Sequence, residues 1–206
     1  MAMTWDWPAT AIAAPTPALR LITPAAPVVT WGEAAAHLRI DDATEQALVE
    51  GYIAAATQHL DAKYGILAGT TLGVQTWELY LDAFPCGPIK LPLTPVVDVV
   101  SVGYADADGV DQIVDPASYV VDDKSYDGWV VPVSGYGWPS TLATINAVTV
   151  RFRAGTTATI PAPIKLAIME LAGHFYENRE TVTAASLTEV PISVYTLVAP
   201  FRRIVI

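Results

Sequence analysis

His174 and Glu177 stand one helical turn apart, so one helix face offers an imidazole and a carboxylate side by side. That pairing could hold half of a metal site or run general acid–base chemistry. The chain has three histidines in all. His37 and His59 belong to other helical segments, and no second His-Glu pair completes a ligand set. The simpler reading is a histidine near the helix surface that bonds its own acidic neighbour. Asp106-Ala107-Asp108-Gly109 starts like a calcium loop, but the further acidic ligand and the closing glutamate are missing. Asp-Gly between alternating segments signals a hairpin instead. Gly135-Tyr136-Gly137 has neither the third glycine nor the following helix of a dinucleotide loop. Ser134 lacks the glycine two residues before it that a nucleophile elbow needs. There is no P-loop. The lone Cys86 excludes an internal disulfide and has no adjacent His or Lys to activate it. No catalytic, cofactor-binding or metal-binding set emerges, and the chain reads as a non-enzyme.

Two features remain that point to contacts. Tyr126, Trp129, Tyr136 and Trp138 lie in turn-rich sequence, where rings either stack on sugars or pack a sheet against helices. The ending Phe201-Arg202-Arg203-Ile204-Val205-Ile206 is basic and apolar in an acidic chain. It suits an acidic or apolar groove on a partner, and equally a frayed terminus.

The elements that position these residues are legible from periodicity. In Pro161–Glu180, Ile164, Ile168, Leu171 and Phe175 recur at helical spacing, with Ala167 and Ala172 beside them. Pro163 suits the first helical position. Thr30-Trp31-Gly32-Glu33 fits a capping box and opens a short helix through Leu38. Asp42-Ala43-Thr44-Glu45 resembles the same device. It leads into a helix with Leu48, Val49, Tyr52, Ile53, Ala56 and Leu60 on one stripe, expected to stop near Tyr64-Gly65. From Thr71 the period becomes two. Trp77, Leu79 and Leu81 share a face, Ile89-Lys90-Leu91-Pro92 reads as a short edge strand because its proline cannot donate to a ladder, and Val96–Tyr104 returns through Val110–Val114 after the Asp108-Gly109 turn. Tyr119–Asp122 and Gly128–Val131 are further strands, and Ala147–Arg153 alternates with Val148, Val150 and Phe152 inward. A last helix follows Pro191 with Ile192, Tyr195 and Val198 in register.

The expected class is α+β: a small bundle of three to four helices (30–65, 162–180 and 191–200) with an antiparallel β insert over about 71–155. Residues 1–28, rich in Ala and Pro with Trp5 and Trp7, read as a flexible or extended arm, and 29–206 as the domain. The chain has 206 residues, 52% hydrophobic and 16% charged, with a formal net charge of −10. Such acidity argues against a nucleic-acid wrapper. The apolar excess points to surface buried between subunits. No apolar run spans a bilayer, and no basic residues precede an apolar run as in a secretory signal.

The ordered motifs resemble the head–tail connector (adaptor) proteins of long-tailed phages and gene transfer agents. They are Leu91-Pro92 with Thr94-Pro95-Val96-Val97-Asp98-Val99-Val100-Ser101-Val102, the Asp108-Gly109 hairpin, Ala147–Gly155, and Pro161–Lys165 running to His174–Glu180. Ala36-His37-Leu38-Arg39, Ile53–Ala56 and Leu197–Arg202 also fit. The likeness covers about 28–203 and leaves out the proline-rich arm. It implies a structural virion protein at the neck between capsid and tail. Such a protein forms a ring with itself, typically a dodecamer, beneath the portal and carries the stopper or tail proteins. DNA passes through its channel without specific binding. The C-terminal segment, Phe201 to Ile206 here, would dock on the portal. No cofactor and no membrane are implied.

Overall fold

The computed structural model describes residues 18–61, 64–125, 127–178 and 191–202. The fold is α+β, with four helices and two antiparallel sheets among the described residues. Two separate apolar clusters organise it, one among the helices and one between the sheets.

The helical part begins as the capping box requires. Helix α1 (Trp31–Leu38) is capped by Thr30, whose Oγ1 accepts the Glu33 N–H at 3.3 Å while the Glu33 carboxylate accepts the Thr30 N–H at 2.8 Å. Asp42 behaves differently from the expected second box. Its carboxylate accepts the Thr44 N–H at 2.8 Å and caps a single 3₁₀ turn, Ala43–Glu45. Glu45 does not reach back. It accepts the Tyr176 hydroxyl and so ties this turn to helix α3 (Ala162–Glu177). Helix α2 (Gln46–Leu60) buries Val49, Ile53, Ala56 and Leu60, one residue each turn. Leu48, expected on that stripe, is instead exposed.

The expected stop of α2 at Tyr64-Gly65 is also corrected. The helix ends at Leu60 because Asp61 is extended (φ −87°, ψ 158°) and turns its carboxylate toward the sheet. Helix α3 buries Ile164, Ala167, Ile168, Leu171 and Ala172 against α2 and α4 (Ile192–Val198). Pro163 takes the second helical position, not the first. The helix closes at Glu177, with Asn178 as its cap. In α4 the buried pair is Val194 and Val198, while Ile192 and Tyr195 face out, contrary to the expected Ile192–Tyr195–Val198 stripe. Residues 179–190 lie outside the described residues.

The arm reading needs its own correction. Ala18–Thr23 is a strand, β1, paired antiparallel with β2 (Gln75–Leu81) from Ala18 opposite Tyr80 to Thr23 opposite Thr76. Val28 and Val29 are buried in the helical core. Trp5 and Trp7 lie outside the described residues. The five-stranded sheet runs β1-β2-β8-β4-β5, with β4 Val96–Ala105, β5 Asp111–Ile113 and β8 Val148–Ala154. Trp77 stands opposite Phe152, Leu79 opposite Val150, and Leu81 opposite Val148, so the alternating residues share one apolar face. A three-stranded sheet, β3-β7-β6, packs on that face; its strands are Ile89–Leu91, Gly128–Pro132 and Tyr119–Asp122. Ile89, Leu91, Tyr119 and Val130 meet Leu79, Val102, Val150 and Phe152 in one core.

After β1 and the helices α1 and α2, the chain re-enters the β half and leaves it again at one place. The Thr71 N–H donates to Thr94 O at 2.8 Å, and the Thr156 N–H returns to Thr71 O at 3.2 Å. The Asp61 carboxylate accepts the Leu72 N–H at 2.7 Å and the Gln75 side-chain amide. Gly155 sits there at φ +132°, and a Cβ on it would stand 1.7 Å from Gly73 O. Only glycine fits that backbone and that approach.

Candidate assembly surfaces

The residues that could have done chemistry are dispersed. His174 is half-buried and its Nδ1 lies 3.3 Å from the Asn178 amide, not against an acidic neighbour. Among the described residues no three His, Cys, Asp or Glu side chains gather where they could hold a metal. Asp106 spends its carboxylate on its own hairpin. It accepts the Asp108 N–H at 3.0 Å, the Val110 N–H at 2.9 Å and the Gln112 amide at 3.0 Å. These bonds hold its carboxyl below the usual range, the Val110 N–H foremost. Gly109 closes that turn at φ +79°. Cys86 is an exposed thiol.

Among the described residues, Trp129, Tyr136 and Trp138 do not form a stacking platform. Trp138 lies flat on Phe84, with ring centroids 4.9 Å apart and an interplanar angle of 4°. Its indole N–H donates to Gly87 O at 2.9 Å. Lys90 covers Trp129, its Nζ 5.6 Å from the ring centroid, and pairs with Asp127 at 2.5 Å. Tyr136 is exposed at a loop tip. Tyr126 lies outside the described residues. Turn-rich sequence around Trp138 gives no sign that its partner is Phe84, more than fifty positions earlier.

At the C-terminal end, Phe201 is half-buried against the helical core in a 3₁₀ turn, Ala199–Phe201, and Arg202 is exposed. Phe201 therefore anchors the start of the tail. Arg203, Ile204, Val205 and Ile206 lie outside the described residues.

What the fold does present is uncovered apolar surface at several separate places. Ile113 on β5 is 72% exposed, Ile145 in the loop before β8 is 77% exposed, and Ile192 on α4 is 83% exposed. Val100, Val110 and Val120 are exposed as well. Both outer strands of the large sheet, β1 and β5, leave one edge without a strand partner among the described residues. The outward face of the same sheet is polar and largely self-paired. Arg151 donates to Glu78 through Nε at 2.9 Å and through Nη2, and Arg153 clasps Asp98 through Nε at 2.8 Å and through Nη2. The Tyr80 hydroxyl donates to Glu78 and holds its carboxyl low, with Arg151 and Arg20 adding to the effect against the cost of burial. A groove of about 780 Å³ opens between the segment Pro24–Val29, α2 and β2. None of these surfaces was visible as a motif, because each joins residues far apart in sequence.

No protein-family profile matches the chain, and no curated protein matches it significantly. Solved structures do. A chain in the neck of an empty gene transfer agent (GTA) particle, computed with C6 symmetry, superposes with a TM-score of 0.73 at 21% identity. It covers 92% of this chain and 97% of that one. A chain of the virion of a native gene transfer agent particle gives 0.71 at 22% identity, over 91% and 96%. A chain in the neck of a native GTA particle, computed with C12 symmetry, gives 0.63 at 22% identity, over 92% and 97%. The chain therefore has the fold of these particle proteins, matched over nearly its full length and nearly all of theirs. Among the described residues no helix is long and apolar enough to cross a membrane.

Proposed function

We propose that this chain is a non-catalytic structural protein of a virion-like particle neck. In this role it is a head–tail connector whose copies stand as a ring beneath the portal and carry the stopper or tail proteins. The observation that carries the reading is the near end-to-end likeness to particle-neck chains, 92% of this chain against 97% of that one. A domain inserted into an unrelated architecture would match only in part.

The surface supports the same reading. A closed ring needs two different patches per subunit, one meeting the other on the next copy. Exposed apolar residues at β5, at the Ile145 loop and on α4 supply surface for more than one contact. The C6 and C12 symmetries used for the similar necks fit a ring, and a dodecamer is the size proposed here. The net charge of −10 suits a channel through which DNA moves without being held, since like charge disfavours binding. The tail from Phe201 to Ile206 is the proposed portal contact, with Phe201 fixing where it departs from the body.

The deciding experiment is light scattering of the chain alone and with portal, followed by electron microscopy of particle necks carrying the labelled subunit. The expected result is a ring on the portal, even where the free chain is a monomer. A chain that never associates with portal and is absent from the neck overturns the proposal. Removing residues 202–206, which leaves the packed Phe201 in place, should weaken portal association at least tenfold with the fold unchanged; equal affinity would refute the docking role of the tail.

A further inference from the structure

The groove between Pro24–Val29, α2 and β2 has no role in the reading above. Its apolar lining includes Leu21, Pro27, Trp31, Ile53, Leu72 and Trp77, and Glu50 and Gln58 stand among its lining residues. Its size is that of a pocket for a compact apolar guest. Leu21 is 42% exposed where the groove meets β1. A cleft of this kind left to water keeps apolar surface from both of the fold's halves wet.

The sequence supplies a guest of the right chemistry beside it. Residues 1–17 precede β1 and contain two of the six tryptophans, Trp5 and Trp7, with Asp6 as their one ionisable side chain. Trp7 stands eleven positions before Ala18, enough to span about 36 Å when extended. Leu21 lies only three strand positions from Ala18, about 10 Å along β1. The segment therefore reaches the groove with length to spare for reversing direction. Pro15 and Pro17 fall in this stretch of the sequence, and proline favours turns over continued strand pairing.

We infer that Trp5 and Trp7 seat in this groove of their own chain, as an N-terminal strap across β1, α2 and β2. Each indole carries roughly 150–250 Å² of surface out of water. Its N–H, a donor only, finds acceptors in the Glu50 carboxylate and the Gln58 amide. Binding within one chain is favoured over binding between copies because so short a tether gives an effective concentration on the order of millimolar. This inference does not depend on the neck assignment.

The test uses the full chain with Cys86→Ser to remove the native thiol, together with Asp6→Cys and Ala54→Cys. Ala54 is exposed and lines the groove. Mild oxidation of dilute protein should join most chains internally, read by mass spectrometry of the linked peptides. Links mainly between two chains would overturn docking within one chain, and no link would overturn the groove as the site. A second measurement needs no substitution. Chymotrypsin should cut after Trp5 in the intact protein at least tenfold more slowly than in a synthetic peptide of residues 1–17, and equal rates would overturn the inference.

Discussion

Replacing Asp61 with alanine should loosen the joint between the helical and β halves more than any surface change of similar size. The carboxylate sits 8% exposed, accepts the Leu72 N–H at 2.7 Å and holds the Gln75 side-chain amide. Hydrogen bonds to a charged group contribute about 1.5–3 kcal/mol each, and a buried donor left without a partner costs its full desolvation. Two such donors put Asp61→Ala at about 3–5 kcal/mol, a large share of the roughly 5–15 kcal/mol typical of a domain. Asp61→Asn should fall between the two, at about 1–3 kcal/mol. Its oxygen can still meet Leu72, but its amide then faces the Gln75 amide. Flipping Gln75 would relieve that clash only by giving up the 3.1 Å bond from the Trp77 indole to Gln75 Oε1. Urea unfolding followed by far-ultraviolet circular dichroism and by tryptophan fluorescence is the assay. A slope of about 2–3 kcal/mol per molar sets the expected fall in midpoint at about 1–2 M for alanine. An alanine variant that unfolds at the wild-type midpoint by both probes would refute the account of the joint.

Trp138→Ala should destabilise the β half by about 2–4 kcal/mol, because it strips the stack from Phe84 and the donor from Gly87 O, as thermal unfolding would show. Gly155→Ala should cost about 4 kcal/mol or prevent folding, since its Cβ would collide with Gly73 O; soluble, wild-type-like protein would contradict this. Acid should loosen the seam between α1 and α3. Lys165 first, then the Thr30 backbone N–H, lower the Glu33 pKa from its ordinary 4.5 to about 2. The folded value is the depressed one, so this contribution is present above 4.5 and is lost as pH falls towards 2. Glu33→Gln should flatten the stability-against-pH curve in that window, and an unchanged curve would count against the assignment.

The class, the order of helices and strands, and the hairpin at Asp108-Gly109 are legible because they rest on local periodicity and turn chemistry. Phe152, Val150 and Val148 alternate so cleanly that their face follows from the sequence alone. Strand β1 is not legible. Its six residues sit among Pro15, Pro17, Pro24 and Pro27, and its partner β2 lies more than fifty positions away. The early end of α2 is hidden for a related reason. Asp61 leaves the helix to bond Leu72 and Gln75, a tertiary demand that overrides the glycine signal at Gly65. The contact surfaces were the least legible, since exposure at Ile113, Ile145 and Ile192 depends on what the rest of the chain fails to cover.

The two cores share no apolar cluster, and two of the three covalent crossings between them pass through one small knot at Asp61, Thr71 and Gly155, the third being the segment Pro24–Val29. A mechanical load on either half would concentrate at that knot. Polar bonds there have short range and fail abruptly when stretched, whereas packed cores resist shear over their whole area. Under tension the molecule would yield at this waist first, with helices and sheets still intact on either side.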